Sequence, residues 1–268
     1  MRIGWLSTGR DAAACNLLAD IVSRAQQDEL ALDVGLVFCN RERGEGPESD
    51  RFLDLADRLG FEAITLSSAK NWHETASPSR AQWRSAYHEQ VMKLLRPYNL
   101  GVLVLAGYML IASPAMCRRY AILNLHPALP EGPIGMWQDV IWELLGAGAT
   151  QTGAMINLVT PQLDRGPVIS YDRFPITGGA YDKLWGQFRA KLKTAGLDEI
   201  RAAEGEAEPL FAAVRSEGEQ REIPLLYQTI KQFVQGRLHT AGGAVFGEAL
   251  RLPLDLTAEV TAELQARG

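Results

Sequence analysis

Short apolar runs alternate with longer, more polar segments along the first half of the chain, and this alternation limits the folds open to it. The runs lie at residues 2–7, 32–39, 63–66, 102–106 and 120–126. Such runs are typical of strands buried on both faces of a parallel sheet. Helices are predicted between them, over residues 11–24, 49–59 and 80–95. We therefore predict an α/β fold, a Rossmann-like, mostly parallel twisted sheet with helices on both faces.

The second half of the chain changes character at about residue 178. Before that point the pattern predicts a helix over residues 135–145 and strands over residues 154–160 and 167–174. Residues 178–218 are charged and rich in Ala and Glu, which favours helices, and we interpret them as a helical insertion toward the C-terminus. After it we predict a helix over residues 223–234, a short strand beginning at residue 236, and a tail helix over residues 257–266 with Thr257 as its N-cap.

The composition is that of an ordinary globular protein. Of 268 residues, 47% are hydrophobic and 22% are charged, and the formal net charge is −5. This charge argues against a nucleic-acid partner, for which a basic face is expected. We expect no membrane segment and no secretory signal, because no apolar run is long enough and a strand pattern follows Arg2 directly. Cys15, Cys39 and Cys117 lack Cys-x-x-Cys spacing, so we interpret them as buried thiols of a cytoplasmic protein.

Three polar residues stand out at and after the end of the fifth predicted strand. Asn124 and His126 belong to the run Asn124-Leu125-His126-Pro127, and Asp164 belongs to Leu163-Asp164-Arg165-Gly166-Pro167. Asn124 and His126 point to the same side of a strand, near the carboxyl end where open sheets bind ligands. An amide can donate to an oxyanion, an imidazole can transfer a proton, and a carboxylate can stabilise the charged imidazole. Each residue alone has an ordinary structural explanation, but together they predict a site that polarises a carbonyl.

The run LAGYMLIASPAMCRRYAILNLHPALP, followed by QTGAMINLVTPQLDRGPVI, resembles the folate-dependent formyltransferases, and among them those of the glycinamide ribonucleotide type. The resemblance extends from residue 1 to about residue 176 and resumes over residues 221–238. Its specific signal is the pair Asn-x-His-Pro and Leu-Asp-x-Gly-Pro in this order. It implies the formyltransferase fold and transfer of a formyl group from the co-substrate 10-formyltetrahydrofolate to a primary amine. The implied catalytic residues are Asn124, His126 and Asp164.

Binding residues are implied position by position. For the folate, the resemblance implies contacts from Arg80, Met109, Leu110, Ile111, Ala112 and Asn124. Leu110 replaces a charged residue of the family, so only backbone contacts are carried over there. For the acceptor, it implies contacts from Gly9, Arg10, Asn16 and Glu222, the last to ribose hydroxyls. Asn157 stands where the family often has histidine and is interpreted as a hydrogen-bonding support. The implied mechanism needs no metal.

The turn after the first strand departs from the family pattern. Ser7-Thr8-Gly9-Arg10-Asp11 opens a helix, where backbone amides can hold an anion, but it lacks G-x-G-x-x-G. Only Gly9 of the family's phosphate loop is retained, and Asn16 is interpreted as a displaced counterpart of its asparagine. Arg10 suits a phosphate, whereas Asp11 does not. The alternative interpretation is that Gly9 forms a tight turn and Asp11 caps the helix.

The sequence leaves other functions open. The same chemistry can serve an amine of a specialised pathway, such as an amino sugar or a hydroxylated ornithine, and the altered turn and the insertion favour this acceptor modestly. A formyltetrahydrofolate hydrolase is a second alternative, although an additional preceding domain is expected there. A folate-binding module without turnover is a third. We expect a catalytic domain over residues 1–240, a C-terminal extension over residues 241–268, and a monomer or homodimer with a small-molecule acceptor and no membrane or nucleic-acid partner.

Overall fold

The structure, a computed structural model, describes residues 1–74, 79–162, 165–247 and 251–267. The chain divides into two compact units. The first comprises Met1–Leu125, Asn157–Pro167 and Thr229–Leu252, and the second comprises His126–Ile156, Val168–Gln228 and Pro253–Gly268. No helix in the described parts of the chain is long and apolar enough to cross a lipid bilayer.

A parallel sheet forms the centre of the first unit. Its strands are β1 (Arg2–Ser7), β2 (Asp33–Cys39), β3 (Ala63–Thr65), β4 (Val102–Leu105) and β5 (Ile122–His126). They pair in the order β5-β4-β1-β2-β3, and each neighbouring pair is parallel. Nearly all side chains of β1, β2 and β4 are buried, as expected for strands covered on both faces. The predicted sheet is confirmed.

Helices α1 (Ala12–Gln27), α2 (Pro47–Arg58), α3 (Ser68–Glu74), α4 (Arg80–Leu95) and α5 (Pro114–Arg119) belong to the first unit. Helix α4 has the predicted bounds because the Ser79 hydroxyl accepts the amide N–H of Gln82 and Pro97 follows its end. Its buried face packs against the sheet core through residues such as Trp83 and Tyr87. Helix α3 was not predicted, although the Ser67 hydroxyl accepts the N–H of Lys70 in the manner of an N-cap.

The second unit contains α6 (Trp137–Gly146), β6 (Gln151–Leu158, whose last two residues lie in the first unit), β7 (Val168–Pro175), α7 (Ala180–Leu192) and α8 (Leu197–Glu204). It also contains α9 (Pro209–Val234) as far as Gln228, then β10 (Leu254–Asp255) and α10 (Thr257–Arg267). Its strands follow the order β10-β7-β6, and its core is rich in aromatic side chains, among them Trp142, Phe174, Trp185 and Phe211.

The prediction of helices over residues 178–218 is confirmed, but two predictions for the residues after this region were wrong. Helix α9 continues through Pro224, whereas we predicted a separate helix from residue 223. A proline removes one hydrogen bond from a helix interior, and 26 residues of packed helix tolerate this single loss. Thr257 is the first helical residue and not the N-cap; its hydroxyl donates to Asp255 Oδ1 at 2.6 Å. The domain boundaries inferred from the sequence stay predictions.

A two-stranded hairpin completes the described fold of the first unit. Strands β8 (Leu238–Ala241) and β9 (Ala244–Gly247) pair antiparallel, with Ala241 opposite Ala244. Gly242 and Gly243 form the connecting turn with φ of 56° and 76°. Tight two-residue hairpin turns require positive φ values, which glycine adopts without strain. The predicted short strand at residue 236 is thus the first arm of this hairpin.

Candidate active site

Asn124 lies near the carboxyl end of β5, and a second asparagine holds its side chain. Asn124 Nδ2 donates to Asn157 Oδ1 at 3.3 Å, and Asn157 is buried. Asn157 lies on β6, and a backbone hydrogen bond joins the end of β6 to β5 next to this contact: the N–H of Val159 donates to the carbonyl of Ile122 at 2.8 Å. An amide nitrogen has two N–H groups, so this contact orients Asn124 and leaves a second donor. The interpretation of Asn157 as a supporting residue agrees with this hydrogen bond.

His126 is the last residue of β5 and the first of the second unit. It is buried, and its Nε2 lies 3.1 Å from the carbonyl oxygen of Pro133. A carbonyl oxygen only accepts hydrogen bonds, so Nε2 carries a proton. The N–H of Ala128 donates to the His126 carbonyl at 3.0 Å, which closes a three-residue turn around Pro127. Proline fixes φ near the value such a turn needs, so the Asn-x-His-Pro run sets the direction in which the chain leaves the imidazole.

Asp164, the third predicted catalytic residue, lies outside the described residues together with Leu163. The end of the same motif is described, and it has a structural role. A Cβ at Gly166 would lie 1.6 Å from the carbonyl oxygen of Leu158, so only glycine fits there. The N–H of Leu158 donates to the carbonyl of Pro167 at 2.9 Å. Gly166 and Pro167 therefore bring the loop back to the end of β6.

The segment Met109–Ala112, predicted to line the folate pocket, follows β4 in the first unit. Thr8 fixes its start, because the Thr8 N–H donates to the Gly107 carbonyl at 3.1 Å and the Thr8 hydroxyl accepts the Met109 N–H at 2.9 Å. Met109 and Ile111 expose 51% and 44% of their surface, whereas Leu110 packs on the core and Ala112 is buried. The segment thus presents apolar side chains on a fixed backbone.

Arg80 is exposed at the first position of α4. Its guanidinium carbon lies 3.8 Å from the centre of the Trp72 ring, a cation–π geometry. A planar guanidinium on an aromatic ring keeps its N–H donors at the ring edge, where another ligand can reach them. Its predicted contact with folate stays a prediction.

The predicted phosphate-binding residues lie in and after the turn between β1 and α1. Gly9 has a φ of 55°, and its N–H donates to the Ser7 hydroxyl at 3.0 Å. Arg10 Nε donates to Asp11 Oδ2 at 3.4 Å, and both side chains are exposed. Asp11 occupies the N-cap position, but its carboxylate makes no capping hydrogen bond. Asn16 is exposed on the second turn of α1.

Glu222 borders a small cavity within the second unit. The cavity, of about 20 Å³, has a mainly apolar lining in which Arg215, Glu222 and Thr152 are the polar residues; the others are Pro127, Ile141, Gly153, Ala154, Phe174, Val214 and Gly218. Pro127 directly follows His126. Arg215 Nη1 donates to Glu222 Oε1 at 2.7 Å. Burial raises the pKa of the Glu222 carboxyl, and the charge and hydrogen bond of Arg215 act against that rise.

Residues 12–193 match the family described as formyl transferase. That match spans more than half of the chain. The chain belongs to the formyl transferase family. The predicted family is thereby confirmed, and the motif residues Asn124 and His126 fall inside the matched range.

Named relatives agree with this membership. The chain is 32% identical over 144 residues to phosphoribosylglycinamide formyltransferase of Escherichia coli K12, covering 53% of this chain and 66% of the relative, slightly under two thirds of its length. The structure of phosphoribosylglycinamide formyltransferase from Coxiella burnetii has a TM-score of 0.59 at 21% identity and covers 92% of this chain and 93% of that one. The structure of a formyltetrahydrofolate deformylase from Pseudomonas syringae pv. tomato has a TM-score of 0.58 at 19% identity. The match covers 92% of this chain and 65% of that one. These structures confirm the fold class of this formyl transferase.

The structure also adds residues that no motif indicated. Thr8 supports the segment after β4, and Arg215 and Gly218 border the cavity beside Glu222. Residues 218 and 222 follow residue 215 by three and seven positions, and this spacing places all three on one face of a helix. That spacing was present in the sequence, but only the fold shows which surface the face covers.

Proposed function

We propose that this formyl transferase moves a formyl group from 10-formyltetrahydrofolate to a primary amine, of the glycinamide ribonucleotide type or a related one. The observation that carries the proposal is the Asn-x-His-Pro run at the end of β5, with the Asn124 amide held by Asn157, in a chain of this family. An oriented amide and a charged imidazole, in which both ring nitrogens carry protons, can donate to a developing oxyanion.

The residues of the first unit fit a folate. Met109 and Ile111 offer exposed apolar surface to a flat ring, and their backbone is fixed by Thr8, so its N–H and C=O groups can recognise ring edges. Arg80 is available for an acidic part of the ligand. When bound, 10-formyltetrahydrofolate supplies the formyl carbon and a leaving nitrogen.

In the proposed mechanism, Asn124 and protonated His126 donate hydrogen bonds to the oxyanion that forms when a neutral amine attacks the formyl carbon. Losing one such donor typically lowers the rate by about 10²–10³. We assign to Asp164 the role of orienting His126 and stabilising its charged form. The amine proton then passes, through a water relay that Asp164 supports, to the leaving nitrogen.

We assign the binding of the acceptor to two groups of residues. Glu222 holds hydroxyl groups, and Gly9, Arg10 and Asn16 hold a phosphate if the acceptor carries one. The Asp11 carboxylate at the start of α1 favours the second candidate, the same chemistry on an amine of a specialised pathway, because a carboxylate repels a phosphate. We place the activity in the cytoplasm, in keeping with the three free thiols Cys15, Cys39 and Cys117.

Release of free folate from a 10-formyl folate analogue, followed by absorbance, tests the proposal. Glycinamide ribonucleotide is supplied, omitted, or replaced by a panel of amines. We expect turnover that depends on an amine and is lost in His126→Ala and Asn124→Ala, with His239→Ala, an exposed histidine on β8, as the matched control. Turnover without any amine would indicate a hydrolase. Binding of the analogue without turnover would indicate a folate-binding module.

A further inference from the structure

The segment from Tyr108 to Ala112 in the first unit alternates between buried and exposed side chains. Tyr108 and Ala112 are buried, and Leu110 packs on the core between them. Met109 and Ile111 are exposed, and they are the two apolar side chains that we assign to the folate. The inward residues of the segment therefore determine where the outward residues stand.

A histidine of α4 anchors Tyr108. The Tyr108 hydroxyl lies 3.1 Å from His88 Nε2, the centres of the two rings are 6.1 Å apart, and His88 is fully buried. The Phe38 ring meets the Tyr108 ring edge to face, with the ring centres 6.3 Å apart. The hydrogen bond is made at the far end of the tyrosine side chain, so it fixes how deeply and at what angle the ring enters the core.

On grounds of stability alone, a buried histidine is an unfavourable support for a tyrosine ring. The imidazole of His88 is neutral near pH 7, because burial lowers its pKa to about 4. Its buried Nδ1 has no hydrogen-bond partner in the described part of the chain. A buried polar atom without a partner lowers stability, and an apolar pair of the same shape would be at least as stable. Stability therefore does not account for the pair, whereas positioning of Tyr108 does.

Thr8 holds the backbone on either side of the same tyrosine. Its N–H donates to the Gly107 carbonyl at 3.1 Å, and its hydroxyl accepts the Met109 N–H at 2.9 Å. These two hydrogen bonds fix the peptide groups before and after Tyr108, and His88 fixes the side chain between them. The start of the segment is therefore held through its backbone and through a buried side chain, and both supports lie within the first unit.

We propose that His88 and Tyr108 are positioning residues for the folate: their hydrogen bond holds Met109 and Ile111 in the arrangement that receives the ligand. Both act through the segment, because both side chains are buried. A segment that is ordered in advance has less conformational freedom to lose on binding, so the pair should act on folate affinity. The proposal rests on the proposed function, because it takes the folate as the ligand of this segment.

Two tyrosine variants separate positioning from packing. Tyr108→Phe removes the hydroxyl that meets His88. Tyr87→Phe is the matched control, since it removes a hydroxyl of the same core that donates to the Leu66 carbonyl at 2.5 Å. Both variants lose one buried hydrogen bond and should unfold at a lower urea concentration than the wild type. Only Tyr108→Phe should raise the Kd and the KM for a 10-formyl folate analogue, about threefold to tenfold, with the acceptor KM and kcat near wild type. An unchanged Kd in Tyr108→Phe, or an equal rise in both variants, would overturn the proposal.

In the double variant His88→Leu, Tyr108→Phe, stability and folate affinity should move apart. Because both polar groups are gone, the urea concentration at its unfolding midpoint should return to the wild-type value or exceed it. Its Kd for the folate analogue should stay raised, since the segment has lost the hydrogen bond that holds it. His88→Gln keeps a group that can accept from the Tyr108 hydroxyl, so its Kd should lie close to that of the wild type. A wild-type Kd in the double variant would show that the pair is structural only and would overturn the proposal.

Binding and turnover of the wild type separate this proposal from the proposed function. Calorimetry with the 10-formyl folate analogue needs no acceptor, whereas the folate-release assay needs an amine as well. Amine-dependent turnover by the wild type, together with an equal folate Kd in all variants, leaves formyl transfer in place and overturns only the positioning role. A wild type that neither binds the analogue nor releases folate with any amine contradicts formyl transfer itself, and with it the ligand to which the positioning role is assigned.

Discussion

Helix α9 carries two arginine–carboxylate pairs that differ in what surrounds them. Arg221 Nη1 donates to both oxygens of Asp172, at 2.9 and 3.2 Å, and its Nε donates to Glu217 at 2.8 Å. Asp172 is fully buried on β7. Arg215 instead contacts Glu222 and Glu219 beside the cavity, and one of its buried N–H groups lacks a partner in the described residues. Residue types alone therefore do not distinguish the two pairs.

The surroundings of an ion pair indicate whether it is structural or belongs to a binding site. Burial raises the pKa of Asp172 to about 6 even with Arg221 beside it, so the charged form of Asp172 depends on that arginine. The Arg221 pair is part of the packed interior, where removing one partner leaves an uncompensated charge. The Arg215 pair has an unused donor and adjoining space, which are properties of a site that receives a ligand. The first pair should matter for stability and the second for the acceptor.

The largest expected effect is on the Arg221 pair. Arg221→Met should lower the free energy of unfolding by about 3–5 kcal/mol, because Asp172 would remain buried without a partner. Urea unfolding measures this loss. Arg215→Met should lose clearly less, since both of its partners retain some contact with solvent. The double variant Asp172→Leu, Arg221→Met is the control and should recover most of the stability. Equal losses in the two single arginine variants would contradict the distinction.

A buried histidine of the first unit, like the buried Asp172, should contribute to stability in a way that depends on pH. His88 Nε2 lies 3.1 Å from the Tyr108 hydroxyl, and burial lowers the pKa of His88 to about 4. The unfolded chain takes up this proton near pH 6.5, so the stabilisation from neutral His88 is fully present above that pH and is lost as pH falls toward 4. The loss should be on the order of 3 kcal/mol. Urea unfolding between pH 4 and 7 should show it in the wild type and not in His88→Gln.

The Asn124–Asn157 contact should affect catalysis more than stability. Asn157→Leu removes the acceptor that orients the Asn124 amide, so we expect kcat to fall about tenfold with little change in either KM. Steady-state folate release measures the effect. Asn157→His, which keeps a hydrogen-bonding side chain at this position, is the matched control and should retain more activity. A wild-type kcat in Asn157→Leu would show that Asn124 needs no such support.

Much of the fold could be predicted because its signals are local. Apolar runs indicated the parallel strands, and the predicted bounds of α4 agree with the serine that precedes the helix and the proline that follows it. Other local signals were present but not used: Ser67 before α3, and Gly242-Gly243 between β8 and β9. Helix α9 was divided wrongly, because a separate helix was predicted over residues 223–234. In the structure one helix continues through Pro224, since tertiary packing outweighs one lost hydrogen bond.

The candidate site could be proposed from the sequence only where a motif exists. Asn124 and His126 are recognisable from their spacing, and Asn157 from its place in the next strand. Arg215 and Gly218 were not, because the cavity forms only when α9 covers residues that are more than sixty positions away, such as Thr152 and Gly153. A charged helix segment gives no indication of which face it will bury, so the lining of this cavity depends on tertiary structure that no local pattern encodes.

The smallest expected effect concerns the exposed pair Arg10 and Asp11, which are 60% and 51% exposed. Breaking such a pair changes stability by less than about 1 kcal/mol. Its effect on a phosphorylated acceptor is electrostatic: Arg10→Ala should raise the KM for glycinamide ribonucleotide several-fold, and Asp11→Asn should lower it, because one side chain attracts a phosphate and the other repels it. Both changes should shrink as salt is added, since screening acts over about 8 Å at physiological ionic strength. The dephosphorylated acceptor is the control and should be unaffected. If neither variant changes either KM, the first turn does not contact the acceptor, and the proposed acceptor contact that remains is that of Glu222.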